Sequence, residues 1–154
     1  MQQLFSLFST LISSNYFILA LAQGFLVKFA DETRSVLAGL IYGIISAAMI
    51  VFSPVSSLWA GATMAQAFAG KIDAKEHMVP FALSLAAIAI ANLNMPLVAY
   101  FIAAAWADEI IDAKIGHRPL LIVAALPLYN ELHYFIGIAC FDFGYLLAKR
   151  FSNP

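Results

Sequence analysis

The chain has 154 residues, 63% of them apolar and 11% charged, with a formal charge of −1. A soluble domain runs nearer to about 45–50% apolar and about 25% charged, so there are too few charges here to cover a water-facing surface. No basic excess marks a nucleic-acid-binding face, and the lone Cys140 rules out a disulfide scaffold. The composition leaves an integral membrane protein, with the lipid bilayer as its first partner.

Residues 4–27 carry no charge, and 4–28 make one good crossing. Ala20-Leu21-Ala22 has the look of a small-residue cleavage site, but Met1-Gln2-Gln3 is neutral and the apolar run continues past it. A retained helix is expected there rather than a signal peptide. After the cluster Asp31 to Arg34, residues 36–70 are uncharged. As one helix they would reach about 52 Å, too long for a bilayer core. Ser53-Pro54-Val55-Ser56-Ser57 divides them into crossings near 36–52 and 56–70.

A polar patch follows at 71–77, and then 78–107 is uncharged. It breaks at Asn92-Leu93-Asn94-Met95-Pro96, because proline lacks a donor and Asn leaves a helix readily. The polar string 108–118 comes next. The last apolar region, 119–148, breaks near Pro127-Leu128-Tyr129-Asn130. The reading is an all-α, polytopic transmembrane bundle in one domain, 1–154. It holds up to seven short crossings, as one helix plus three hairpins. Segments near 79–92, 97–110 and 119–131 are short enough to be re-entrant or fused instead.

Charge placement favours the hairpins. With seven crossings, all eight basic residues share one face. Fusing each hairpin into one helix splits them four and four. The positive-inside bias then places the N-terminus outside and the C-terminus in the cytoplasm, with the plasma membrane as the expected location. Phe5, Phe8 and Phe17 are expected to face lipid, and Trp59 and Trp106 to anchor near segment ends.

Ile72-Asp73-Ala74-Lys75-Glu76-His77 echoes Ile111-Asp112-Ala113-Lys114-Ile115-Gly116-His117 at an offset of 39 residues. An internal repeat of 56–77 in 95–117 would produce this. Small residues recur every four positions at Gly61, Ala65 and Ala69, at Ala99, Ala103 and Ala107, and at Gly39 and Gly43. Such stripes let helix backbones approach closely. They mark 56–70 and 97–107 as interior, or as docking faces for membrane-protein partners.

Asp108 and Asp112 lie four apart, on one helix face. Two neighbouring carboxylates call for a cation or a shared proton. Mg²⁺ suits oxygen ligands and accepts phosphate as co-ligand. Asp73 on the same membrane face would complete the metal set, Lys71, Lys75 and Lys114 are cationic donors nearby, and Arg118 can fork onto phosphate oxygens. A diphosphate would suit this mix. The plain alternative is an ordinary charged interfacial loop.

The string Asp108-Glu109-Ile110-Ile111-Asp112-Ala113-Lys114-Ile115 with Arg118-Pro119-Leu120 resembles part of the aspartate-rich loop of the UbiA superfamily of intramembrane prenyltransferases. The resemblance implies an α-helical enzyme that uses Mg²⁺ to transfer a prenyl group from an isoprenoid diphosphate. Asp108 and Asp112 would stand at the two aspartates of the motif and Arg118 at its arginine. Ala104 occupies the position where the motif has Asn, and Asp73 alone would represent the second loop.

Asp142 is a different signal. It sits about halfway along an apolar 133–149 helix, where a carboxylate must be protonated, paired or wet. Glu131 lies eleven residues earlier, three turns away on the same face, with Asn130 and His133 beside it. That face reads as a proton or cation path, and broken helices at Asn94, Pro96 and Pro127 would suit a transporter or channel. A neutral, hydrogen-bonded Asp142 holding helices together is the bland reading. A third class, a structural or assembly subunit of a membrane complex, would look the same in sequence.

Overall fold

The computed structural model describes residues 2–115, 119–125 and 132–152, with side chains described for 3–111, 121–125 and 132–151. Seven helices and no strand are found among them: α1 (Gln2–Thr33), α2 (Val36–Phe52), α3 (Ser56–Phe68), α4 (Lys75–Ile90), α5 (Met95–Ile115), α6 (Pro119–Ala125) and α7 (His133–Ser152). Among the described residues, α1 is the one helix long and apolar enough to cross a membrane. Only 11% of its apolar window is buried within the fold. Phe5, Phe8 and Phe17 on it are exposed. The other helices are shorter, or carry charges toward one end, as α5 does at Asp108 and Glu109 and α7 at Lys149 and Arg150. Seven full crossings are therefore more than helix length and hydropathy establish.

The breaks fall where local chemistry puts them. Ser53 ends α2, its hydroxyl donating to the Met49 carbonyl at 2.6 Å and accepting from the Val55 amide at 3.2 Å. Asn94 caps α5 by accepting the Leu97 amide at 3.3 Å. Arg34, at φ 53°, turns the chain out of α1, and the Ser35 hydroxyl accepts the Ala38 amide to start α2. Gly70 closes α3 at φ 68°, with the Lys71 amide donating back to the Gln66 carbonyl.

Helix pairing follows the small residues. The main packed pairs are α1 with α7 and α2, α2 with α4, and α3 with α5. At the α1–α7 crossing a Cβ on Gly24 would lie 1.9 Å from the Phe141 carbonyl oxygen, and one on Gly144 2.0 Å from that of Leu21. Gly39 and Gly43 press on Glu76 and Pro80 of α4, and Gly61 on Phe101 of α5. The starts Val36 and Lys75, like Ser56 and Met95, are 39 residues apart, which matches the offset between the two echoing sequence stretches. The main core cluster gathers Met49, Ile50, Val55, Leu58, Phe101 and Ile138 from α2, the α2–α3 turn, α3, α5 and α7.

Two expectations need correcting. Ala99 and Ala103 face outward, and the buried face of α5 is Val98, Phe101, Ala105 and Asp108. Both stripes have helical spacing, and the larger side chains fill the interior. Trp59 is not an interface anchor. It is 4% exposed, its indole N–H meets the Met49 sulfur at 3.1 Å, and its ring lies 5.5 Å from that of Phe141. Trp106 does remain exposed.

The charged segments meet at one end of the bundle. Arg34 pairs with Glu76 at 2.9 Å, Lys71 with Glu109 at 2.8 Å, and His77 with Asp31 at 2.8 Å. Lys28 pairs with Glu32 on its own helix and lies over the Tyr145 ring of α7. These contacts tie α1, α4, α5, α7 and the α3–α4 loop together.

Candidate functional site

A cavity of about 150 Å³ opens near this charged end and runs into the bundle. That is room for about five waters at roughly 30 Å³ each. Every helix contributes to its wall. On α1 the contributors are Gln23, Val27 and Asp31; on α2, Tyr42 and Ser46; on α3, Thr63 and Gln66; on α4, His77, Pro80, Phe81 and Ser84. Lys71 of the α3–α4 loop, Glu109 of α5, and Asp142 and Tyr145 of α7 complete the polar part, and Leu121 of α6 adds an apolar contact. Trp59 and Phe141 line its apolar end. From His77 to Ser84 is seven residues, so the polar wall runs about 10 Å along α4.

The tightest polar arrangement joins three helices. His77 Nε2 lies 2.8 Å from Asp31 Oδ1, and His77 Nδ1 lies 2.7 Å from the Tyr42 hydroxyl. Tyr42 can also donate to the Glu76 carbonyl, at 3.3 Å. Pro80 explains why that carbonyl is available. Four residues before a helical proline, a carbonyl loses its usual N–H donor. The Tyr42 phenol of α2 is placed to supply one whenever its hydrogen is not given to His77, and Gly39 lets the two backbones approach.

Deeper in, Ser84 of α4 donates to Ser46 of α2 at 3.1 Å, both buried. Gln23 is 6% exposed, and its amide oxygen has no hydrogen-bond partner among the described residues. An unmet buried acceptor costs about 1–3 kcal/mol, so this wall favours a guest or water that donates. At the mouth, the exposed Lys71 reaches the buried Glu109 carboxylate across the gap between the α3–α4 loop and α5.

The sequence-predicted residues separate into those on the cavity and those elsewhere. Asp142 lines it. His133 opens α7 at the far end from the charged cluster, its ring 4.6 Å from that of Tyr134. Asp73 and Lys75 are exposed. Asp108 is 2% exposed and accepts the Leu121 amide at 2.7 Å, so α5 satisfies an N-terminal donor of α6. Among the described residues no group of three His, Cys, Asp or Glu side chains could hold a metal ion. Asp73 and Asp108 are the described part of the proposed Mg²⁺ set, and Asp108 is held by the start of α6. The side chains of Asp112 and Lys114, and Arg118, Asn130 and Glu131 altogether, lie outside the described residues. Replacing Asp108 with alanine should cost about 1–2 kcal/mol. Hydrogen exchange in detergent should show faster exchange at the Leu121 amide, with or without added Mg²⁺.

Sequence reasoning missed Gln23, Asp31, Tyr42, Thr63, Gln66, His77 and Tyr145. Their signal was helical spacing: Gln23-Val27-Asp31, Tyr42-Ser46, Thr63-Gln66, His77-Pro80-Ser84 and Asp142-Tyr145 each place polar groups on one face. Several polar faces in one apolar chain point to a shared wet interior. Comparison with protein-family models, curated proteins and solved structures finds no match to this chain.

Proposed function

We propose that this protein moves a small polar solute or ion through the membrane, by way of the cavity at its charged end. The carrying observation is that Asp142, the carboxylate placed in mid-helix by the sequence, lines that cavity together with polar groups from α1, α2, α3, α4 and α5. An ionisable group inside a membrane bundle belongs on a solute or ion path. The charged end would face the cytoplasm by the positive-inside rule, with the helices other than α1 adding short crossings or half-crossings around the path. Proteoliposome flux measurements for protons and small ions test this. Asp142→Asn should reduce wild-type flux at least tenfold, and full flux in that variant would remove Asp142 from the path.

Prenyl transfer is the activity implied by residues 108–120. Support for it is that local string alone, since Asp108 is engaged by α6. Prenyl-transfer assays of Asp108→Ala and Asp112→Ala test it directly. Unchanged turnover in both would remove the proposed Mg²⁺ role.

A further inference from the structure

We propose that Asp31, His77 and Tyr42 form a proton-loading site at the mouth of the cavity. Its part in transport, as the site where a co-transported proton boards, rests on the transport reading above. His77 is held at both ring nitrogens, by Asp31 of α1 and Tyr42 of α2. A neutral ring has one N–H and one acceptor. With Asp31 at Nε2, that N–H sits on Nε2, and Nδ1 accepts the Tyr42 hydrogen. The Glu76 carbonyl then goes without the phenol, and Pro80 offers it no N–H.

Protonation reverses the second bond. One proton from water adds to the Nδ1 lone pair, and Nδ1–H now donates to the Tyr42 oxygen. Tyr42 keeps its own hydrogen and turns it to the Glu76 carbonyl, 3.3 Å away. No covalent bond of the protein breaks, and the site gains one proton and one positive charge. The same proton thus completes the hydrogen bonding of a carbonyl at the α2–α4 contact, where Gly39 and Glu76 are already in close approach.

The surrounding charges suit a proton at this place. Asp31 faces His77 from α1, while Glu76 on α4 itself and Asp73 on the α3–α4 loop add negative potential. Arg34, from the α1–α2 turn, is committed to Glu76. Lys71 of the loop is committed to Glu109 of α5. Asp142 and Tyr145 of α7 share the cavity. The Asp31 carboxylate raises the proton affinity of His77 above its ordinary value, against an opposing effect of burial.

The test is a histidine ¹⁵N titration of the full chain in detergent micelles, with His77→Gln used to assign the His77 signals. The expected result is a neutral Nε2–H tautomer that gains a second proton with a midpoint above about 6.5. Asp31→Asn should lower that midpoint by at least about one pH unit, a tenfold loss of proton affinity, and Asp31→Glu should restore it. The His133 signals serve as the folding control. An Nδ1–H neutral tautomer, or a midpoint that Asp31→Asn leaves in place while His133 is unchanged, would overturn the site. Proton flux into pyranine-loaded proteoliposomes separates the site from its use. If the titration is as expected and the wild type carries no flux, the transport reading falls and the proton site stands. If wild-type flux persists unchanged in His77→Gln, the coupling role is overturned while transport stands.

Discussion

Gly144→Leu is expected to destabilise the bundle by about 3 kcal/mol. The reason is backbone proximity. A Cβ at Gly144 would stand 2.0 Å from the Leu21 carbonyl oxygen and 3.0 Å from the Phe25 amide nitrogen. These are backbone atoms of a long helix and cannot swing aside as a side chain would. Gly24→Leu meets the Phe141 carbonyl at 1.9 Å and should behave alike. Where polar solvent does not drive helices together, close packing carries association, and the α1–α7 crossing depends on it. Gly137→Ala is the internal comparison. It lies on the same helix, yet its nearest neighbour would be a Val55 methyl at 3.6 Å, an ordinary contact. It should be neutral, or stabilising by roughly 0.5 kcal/mol through helix propensity. Denaturant unfolding in detergent, followed by circular dichroism, separates the two positions.

Phe101→Ala should cost about 3–5 kcal/mol. Phe101 is fully buried, stands against Gly61 of α3, and its ring lies 5.1 Å from that of Tyr134 on α7. Its removal opens a void beside α7 and between α3 and α5, whose backbones already approach closely at Gly61 and have little freedom to collapse. The void is apolar, so it would not fill with water. The same unfolding measurement reads the loss, and a cost below about 1 kcal/mol would mean that α3, α5 and α7 do not meet there.

Helix boundaries were the legible part of this fold. Ser53-Pro54 and Asn94-Met95-Pro96 act through their own backbone chemistry, so their effect does not wait on tertiary context. The helical segments expected at 36–52 and 56–70 are found as α2 and α3, both too short to count as full crossings by length and hydropathy. The start of α4 was placed late, near 79, because Lys75, Glu76 and His77 looked like loop. They form its first turn, with Glu76 turned to Arg34 of the α1–α2 turn and His77 to Asp31 of α1 and Tyr42 of α2. Which face of α5 turns inward was not legible, since Ala99-Ala103-Ala107 and Val98-Phe101-Ala105 have equally good helical spacing. The site was less legible still. Asp142 announced itself by being charged in mid-helix. Asp31, Tyr42 and His77 lie on three separate helices, and no spacing along the chain brings them together. Nor was the Asp108 contact with α6 legible: the Leu121 amide becomes adjacent only when α6 folds back beside α5.

The central claim is a water-accessible cavity reached from the charged end of an apolar bundle. It is tested most directly by a single cysteine at Thr63, in a Cys140→Ala background, reconstituted in vesicles of known orientation. Thr63 lines the cavity one turn deeper than Gln66. A membrane-impermeant methanethiosulfonate should modify Thr63→Cys from the side that carries Lys71 and Arg34, and not from the other side. Modification from the opposite side, or protection from both sides, would contradict the account.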